Sequence, residues 1–78
     1  MSIMLSDHKI HQTTCNASET TRQADVAAAI ALGGNAAVAA IKTAEIAHYR
    51  RVIASCTANG LPFGNFTQAL INLGTGGT

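Results

Sequence analysis

Ala24-Asp25-Val26-Ala27-Ala28-Ala29-Ile30-Ala31-Leu32-Gly33-Gly34-Asn35-Ala36-Ala37-Val38-Ala39-Ala40-Ile41 is the stretch that decides the fold. Alanine is the strongest helix former because it surrenders no side-chain entropy on entering a helix. Two adjacent glycines followed by asparagine provide a stop, a turn and a restart. The stretch therefore predicts two helices joined by a tight turn at Gly33 and Gly34, with Asn35 capping the second. Small side chains on both arms favour close packing. The expected fold class is all-α, a helical hairpin with a short third helix, forming one small domain over residues 1–78.

Working outward, the first helix is expected over Thr21–Leu32 and back as far as Asp7, with Ser6-Asp7 as its cap. Ile10, Ala17, Ala24 and Ala31 recur every seven residues and favour the longer helix. The second helix is expected from Ala36 to about Ala58, ended by Asn59-Gly60 and Pro62. On it, Ile46, Tyr49, Ile53 and Cys56 share one face, with Val38 and Ile41 adjoining and Val52 widening the stripe. Lys42, Glu45 and Arg50 are expected to point away. Asn65 is expected to cap a third helix over Phe66–Leu73, whose Phe66, Leu70 and Leu73 line one side. Ile46, Tyr49, Ile53, Phe66 and Leu70 are the expected packing residues, and the first four are expected to be the main buried anchors. The ends, about 1–5 and 75–78, are expected to be flexible, the latter with the option of ordering as an arm against a neighbour.

Composition limits what such a fold achieves alone. A chain of 78 residues with no Trp, one Tyr and two Phe has few large side chains to bury. Domains near this size are marginal without a staple or a partner. The net charge is +1 and 12% of residues are charged, about half the ordinary share. The basic residues form no cluster beyond Arg50-Arg51, which argues against a nucleic-acid binder. Met1–Leu5 is too short and uncharged for a signal peptide, so synthesis in the cytoplasm without export is expected. Gly33, Gly34 and Asn35 interrupt the longest apolar run, which argues against a membrane span.

His8, His11 and Cys15 are spaced three and four apart and share one helix face. Imidazole and thiolate are preferred zinc ligands. In a hairpin turning at Gly33-Gly34, residues whose numbers total about 67 face each other, which sets Cys56 opposite His11 and about one turn from Cys15. A His2Cys2 set is therefore conceivable, but its spacing follows no recognised finger pattern. The plainer reading is solvent-facing histidines and two small buried thiols, with no metal and no cofactor. A Cys15–Cys56 disulfide is a further alternative in an oxidising setting. His48 beside Tyr49 is not an acid–base pair, because adjacent helix residues point about 100° apart; Tyr49 is expected in the core and His48 near the surface. Cys56 with His48 lacks an orienting acid or an oxyanion hole. Gly33-Gly34-Asn35 without a preceding strand or a lysine is a turn and not a phosphate loop.

Ala44-Glu45-Ile46-Ala47-His48-Tyr49-Arg50-Arg51-Val52-Ile53-Ala54-Ser55, then Asn59-Gly60, Gln68-Ala69-Leu70 and the Leu73-Gly74-Thr75-Gly76-Gly77 end, resembles short proteins of tailed phages. The resemblance covers the second half of the chain. It implies a virion or morphogenesis component and carries over no functional residues. The sequence thus leads to a non-enzymatic assembly protein, a decoration, tail or connector-associated component that packs helices against other subunits, as a homo-oligomer or within a larger particle. A small metal-binding or redox-responsive protein using His8, His11, Cys15 and Cys56 is the second reading. A membrane-active hairpin is the third.

Overall fold

The computed structural model of the chain describes residues 5–77, with side chains described from Lys9 onward. It contains α1 (Leu5–Ile30), α2 (Gly34–Ala58) and α3 (Gly64–Asn72), and no strand among the described residues. The long first helix is therefore the observed one, and it already includes Ser6-Asp7, the expected cap. Its Thr-rich segment is a weak helix former, yet it stays helical. Thr13, Thr20 and Thr21 turn their hydroxyls back onto the carbonyls of Lys9, Asn16 and Ala17, at 3.0, 3.1 and 3.1 Å, so these exposed side chains do not compete for other backbone groups.

The reversal occurs at Gly33-Gly34, where both residues have positive φ, +71° and +58°. Asn35 is not the cap. Gly33 takes that position, and its carbonyl accepts the Ala37 N–H at 3.2 Å. Two left-handed glycines reverse the chain by themselves, so α2 begins one residue ahead of Asn35. The same correction applies to α3. Its cap is Phe63, whose carbonyl accepts the N–H groups of Phe66 and Thr67, both at 3.1 Å, while Asn65 lies inside the helix. Helices α2 and α3 end alike. The Leu61 N–H reaches back to the Cys56 carbonyl at 2.8 Å, and the Thr75 N–H to the Leu70 carbonyl at 3.1 Å, a closure that satisfies carbonyls left over at a helix end. The expected loose tail from residue 75 is tied back as far as Gly77, whose N–H donates to Thr75 Oγ1 at 3.2 Å; Thr78 and residues 1–4 lie outside the described residues.

The molecule measures 47 × 25 × 12 Å. Helices pack at 8–10 Å between axes, so the middle dimension accommodates three of them side by side. Helix α2 is in the centre, with α1 along one flank and α3 along the other; among the described residues α1 and α3 do not pack together. Tyr49 on α2 meets Phe66 on α3 with ring centroids 6.3 Å apart, an ordinary tilted aromatic contact. Residues Glu45–Tyr49 are all half-buried because α2 is covered from two sides but not above or below.

The core is correspondingly thin: among the described residues it comprises Ala29, Ala44, Val52, Cys56 and Leu70. Ile46, Tyr49, Ile53 and Phe66, expected as the main buried anchors, are only half-buried. A single layer has no interior deep enough to enclose large side chains. Ile10, Ala17, Ala24 and Ala31 are exposed, one residue out of step with the face that packs.

Three outcomes follow from this architecture. Replacing Gly33 and Gly34 together by alanine meets no steric obstacle, since an added Cβ has nothing within 4 Å at either site. The cost is backbone strain of about 1–2 kcal/mol at each residue, read as a lower unfolding midpoint and a lengthened distance between the helix arms. Leu70→Ala, at a residue only 1% exposed, is expected to cost about 2–5 kcal/mol in chemical denaturation. Ile53→Ala, half-buried, is expected to cost about 1 kcal/mol.

Candidate functional site

The α1–α2 seam is built mostly from polar and small side chains. On α1 the buried and half-buried positions His11, Cys15, Ser18, Arg22, Val26 and Ala29 recur at intervals of three and four. On α2 they are answered by Ala37, Ile41, Ala44, His48, Val52 and Ser55. This is the spacing by which two helices keep one seam in contact over many turns. Among the described residues, every buried side-chain nitrogen and oxygen has a hydrogen-bond partner.

Near the middle of the seam, Arg22 is a clamp. Its guanidinium holds the Glu19 carboxylate on its own helix with two bonds, one from Nε to Oε2 at 2.7 Å and one from Nη2 to Oε1. Its Nη1 crosses to Glu45 Oε1 on α2 at 3.0 Å. Glu45 therefore faces inward, not away as its sequence position suggested. The Arg22 hydrogen bonds are the main reason that the Glu19 carboxyl is held down to about 2, with Gln23 and the nearby charges of Arg22 and His48 adding to the effect against some burial. The two carboxylates in turn push the Arg22 guanidinium further up its already high range.

One turn on, Ser18 is the hub of a second bridge. Arg51 Nε donates to Ser18 Oγ at 2.8 Å, and its Nη2 donates to the Ser18 carbonyl at 3.2 Å. Ser18 Oγ lies 2.8 Å from His48 Nδ1, and His48 Nε2 lies 3.7 Å from Glu19 Oε2. With the His48 proton on Nε2, the donors form one chain from Arg51 through Ser18 and His48 towards Glu19. Serine, histidine and glutamate are also the components of a hydrolytic triad. Here the serine hydroxyl is buried between two helices and accepts from a guanidinium, so the chain of bonds joins the helices. The His48 side chain is 14% exposed; it turns into the seam instead of lying near the surface.

At the end of the seam remote from the turn, His11 Nδ1 meets Ser55 Oγ at 2.8 Å. Its Nε2 lies 3.4 Å from Cys15 Sγ and 3.9 Å from Cys56 Sγ. Both cysteines are free thiols. Burial pushes each thiol above its ordinary range, and proximity to Cys56 raises Cys15 further.

Of the residues singled out from sequence, His11, Cys15 and Cys56 are brought together at this end. The His8 side chain lies outside the described residues. Among the described residues no group of three or more His, Cys, Asp or Glu side chains is disposed to hold a metal ion. Gly33, Gly34 and Asn35 lie at the opposite end of the hairpin. Ile46, Tyr49 and Ile53 are carried on α2, and Phe66 and Leu70 on α3. Ser18, Ser55, Arg22, Glu45 and Arg51 were missed as seam residues. They are polar, and a search for apolar stripes passes over them.

Stability should depend on acid through Glu19. Its carboxyl binds a proton more readily in the unfolded chain, at about 4.5, than in the folded one, at about 2. Its contribution is therefore present above pH 4.5 and lost as pH falls through this interval. Unfolding midpoints measured from pH 6 down to pH 2 are expected to fall most steeply there, and Glu19→Gln is expected to flatten that fall.

No family model, no curated protein and no solved structure matches the chain.

Proposed function

We propose that this protein is a non-enzymatic assembly component that works by packing against further copies of itself. The observation that carries the reading is the single-layer arrangement, in which α2 is flanked on two sides and both broad faces stay uncovered. Stable domains ordinarily bury their helices between at least two layers. A second copy supplies the missing layer.

The surface left open is suited to that occupant. Ile30, Leu32 and Val38, around the turn, are 62%, 63% and 67% exposed. They lie within Val26–Ile41, which contains no charged residue, and alanines at 27, 28, 31, 36 and 39 beside them are exposed as well. Exposed apolar surface of this kind marks an interaction site more often than a solvated one. The patch presents no charge to complement a charged partner, whereas small and branched apolar side chains interdigitate with the same set on a second copy. Arg51, His11 and Ser18 are engaged within the hairpin and are not the assembly contacts. Among the described residues no helix is long and apolar enough to cross a membrane. The finer setting, a decoration, tail or connector-associated part of a phage particle, is supported by the sequence resemblance of the second half of the chain.

Linkage makes the test direct, because assembly ties folding to concentration. Sedimentation and circular dichroism over a dilution series are expected to show an oligomer whose unfolding midpoint falls as it is diluted. Leu32→Glu with Val38→Glu is expected to yield monomer at concentrations where the parent is assembled. A monomer with a concentration-independent midpoint would overturn the reading.

A further inference from the structure

We propose that Cys15 and Cys56 form a redox pair served by His11, and that a hydroperoxide converts them into a disulfide tying α1 to α2. This inference is independent of the assembly reading, since the thiols lie at the far end of the hairpin from the apolar patch. Three features place the chemistry here. Both sulfurs lie against one imidazole: Cys15 Sγ is 3.4 Å from His11 Nε2 and 3.7 Å from its Nδ1, and Cys56 Sγ is 3.9 Å from Nε2. Ser55 Oγ, 2.8 Å from Nδ1, fixes the ring, and with the proton on Nδ1 it leaves Nε2 free to accept one from either thiol. The two cysteines differ in access: Cys15 is half-buried and Cys56 is buried.

The access difference sets the order of events. The Cys15 sulfur attacks the distal oxygen of the peroxide as its thiol proton passes to His11 Nε2. The O–O bond breaks, the proton completes the departing alcohol or water, and Cys15 becomes a sulfenic acid. The Cys56 sulfur then attacks Cys15 Sγ. The S–S bond forms, the S–O bond breaks, and the Cys56 proton leaves through His11 with the hydroxide as water. The two sulfurs lose two electrons in all, and the peroxide gains them. Burial raises both thiols above their ordinary range, which disfavours the thiolate. The pair therefore responds slowly and once per chain, as a sensor or a lock and not as a turnover peroxidase. Cross-linking two residues so far apart in sequence restricts the unfolded chain more than the folded one.

The test treats the full chain with hydrogen peroxide at neutral pH, at a dilution where sedimentation shows monomer. Expected are loss of both free thiols, a peptide joining Cys15 to Cys56 in a non-reducing digest, and an unfolding midpoint higher by about 10 °C or more, all reversed by dithiothreitol. His11→Gln is expected to slow the cross-link about 10-fold or more while leaving the helical spectrum unchanged. Cys56→Ser is expected to leave a dimedone-reactive sulfenic acid at Cys15. Cys15→Ser, at the less buried site, provides a folded control that forms no link. Separate overoxidation of the two thiols, or links between chains only, would overturn the proposal. So would a cross-linking rate indifferent to His11→Gln.

Discussion

The register imposed by Gly33-Gly34 is the constraint on which the rest of this structure depends. Two consecutive residues with positive φ reverse the chain across a connection of only three residues, 31–33, so each position on α1 is committed to one position on α2. That commitment is what brings Arg22 to Glu45, Ser18 to His48, and His11 to Ser55 and Cys56. A shift of one residue would turn either helix by about 100° and strand all of these groups at once. The seam consequently specifies its own alignment. Apolar seams tolerate sliding better, because a methyl group accepts any methyl neighbour, whereas a guanidinium requires its carboxylate at one distance and angle.

Specificity of this kind adds little net stability. Exchanging water for protein partners across a partly exposed polar seam yields about 1 kcal/mol per hydrogen bond or less. The apolar contribution is small as well, since Ala29 and Ala44 supply much of the buried set and alanine covers little area. The single layer is the structural expression of that shortage. Helix α3 adds Leu70 and the Tyr49–Phe66 contact on the second flank of α2, but nothing covers the broad faces of the monomer. An exposed, charge-free turn on such a scaffold is consistent with a chain that completes its burial in an assembly.

The two ends of the hairpin differ in chemistry. The turn end is apolar and carries no titratable group. The opposite end holds an imidazole between two thiols, and the middle of the seam holds the ion-paired and hydrogen-bonded bridge. The proposed association and redox chemistry are thus spatially separated, with the polar seam between them.

Helix identity, the place of the reversal and the stop signals at Asn59-Gly60 and Gly74 were legible in the sequence, because alanine propensity, left-handed glycine and the missing donor of proline act locally. The facing of His11 and Cys56 was legible too, since symmetry about the turn is enough to place them. The packing face was not. Apolar periodicity pointed to Ile46, Tyr49 and Ile53 on α2 and to the Ile10, Ala17, Ala24, Ala31 repeat on α1, while the observed seam runs through His11, Ser18, Arg22, Ala44, His48 and Ser55. Polar residues at such spacing are indistinguishable in one dimension from a solvated face, and only the partners brought in by the other helix make their burial affordable. The caps were decided in the same way: Asn35 and Asn65 are good local caps, yet the backbone carbonyls of Gly33 and Phe63 began the helices earlier. Sequence by itself determined what the chain forms and where it turns; the tertiary structure decided which sides meet, because that choice depends on groups distant in the chain satisfying one another's hydrogen bonds.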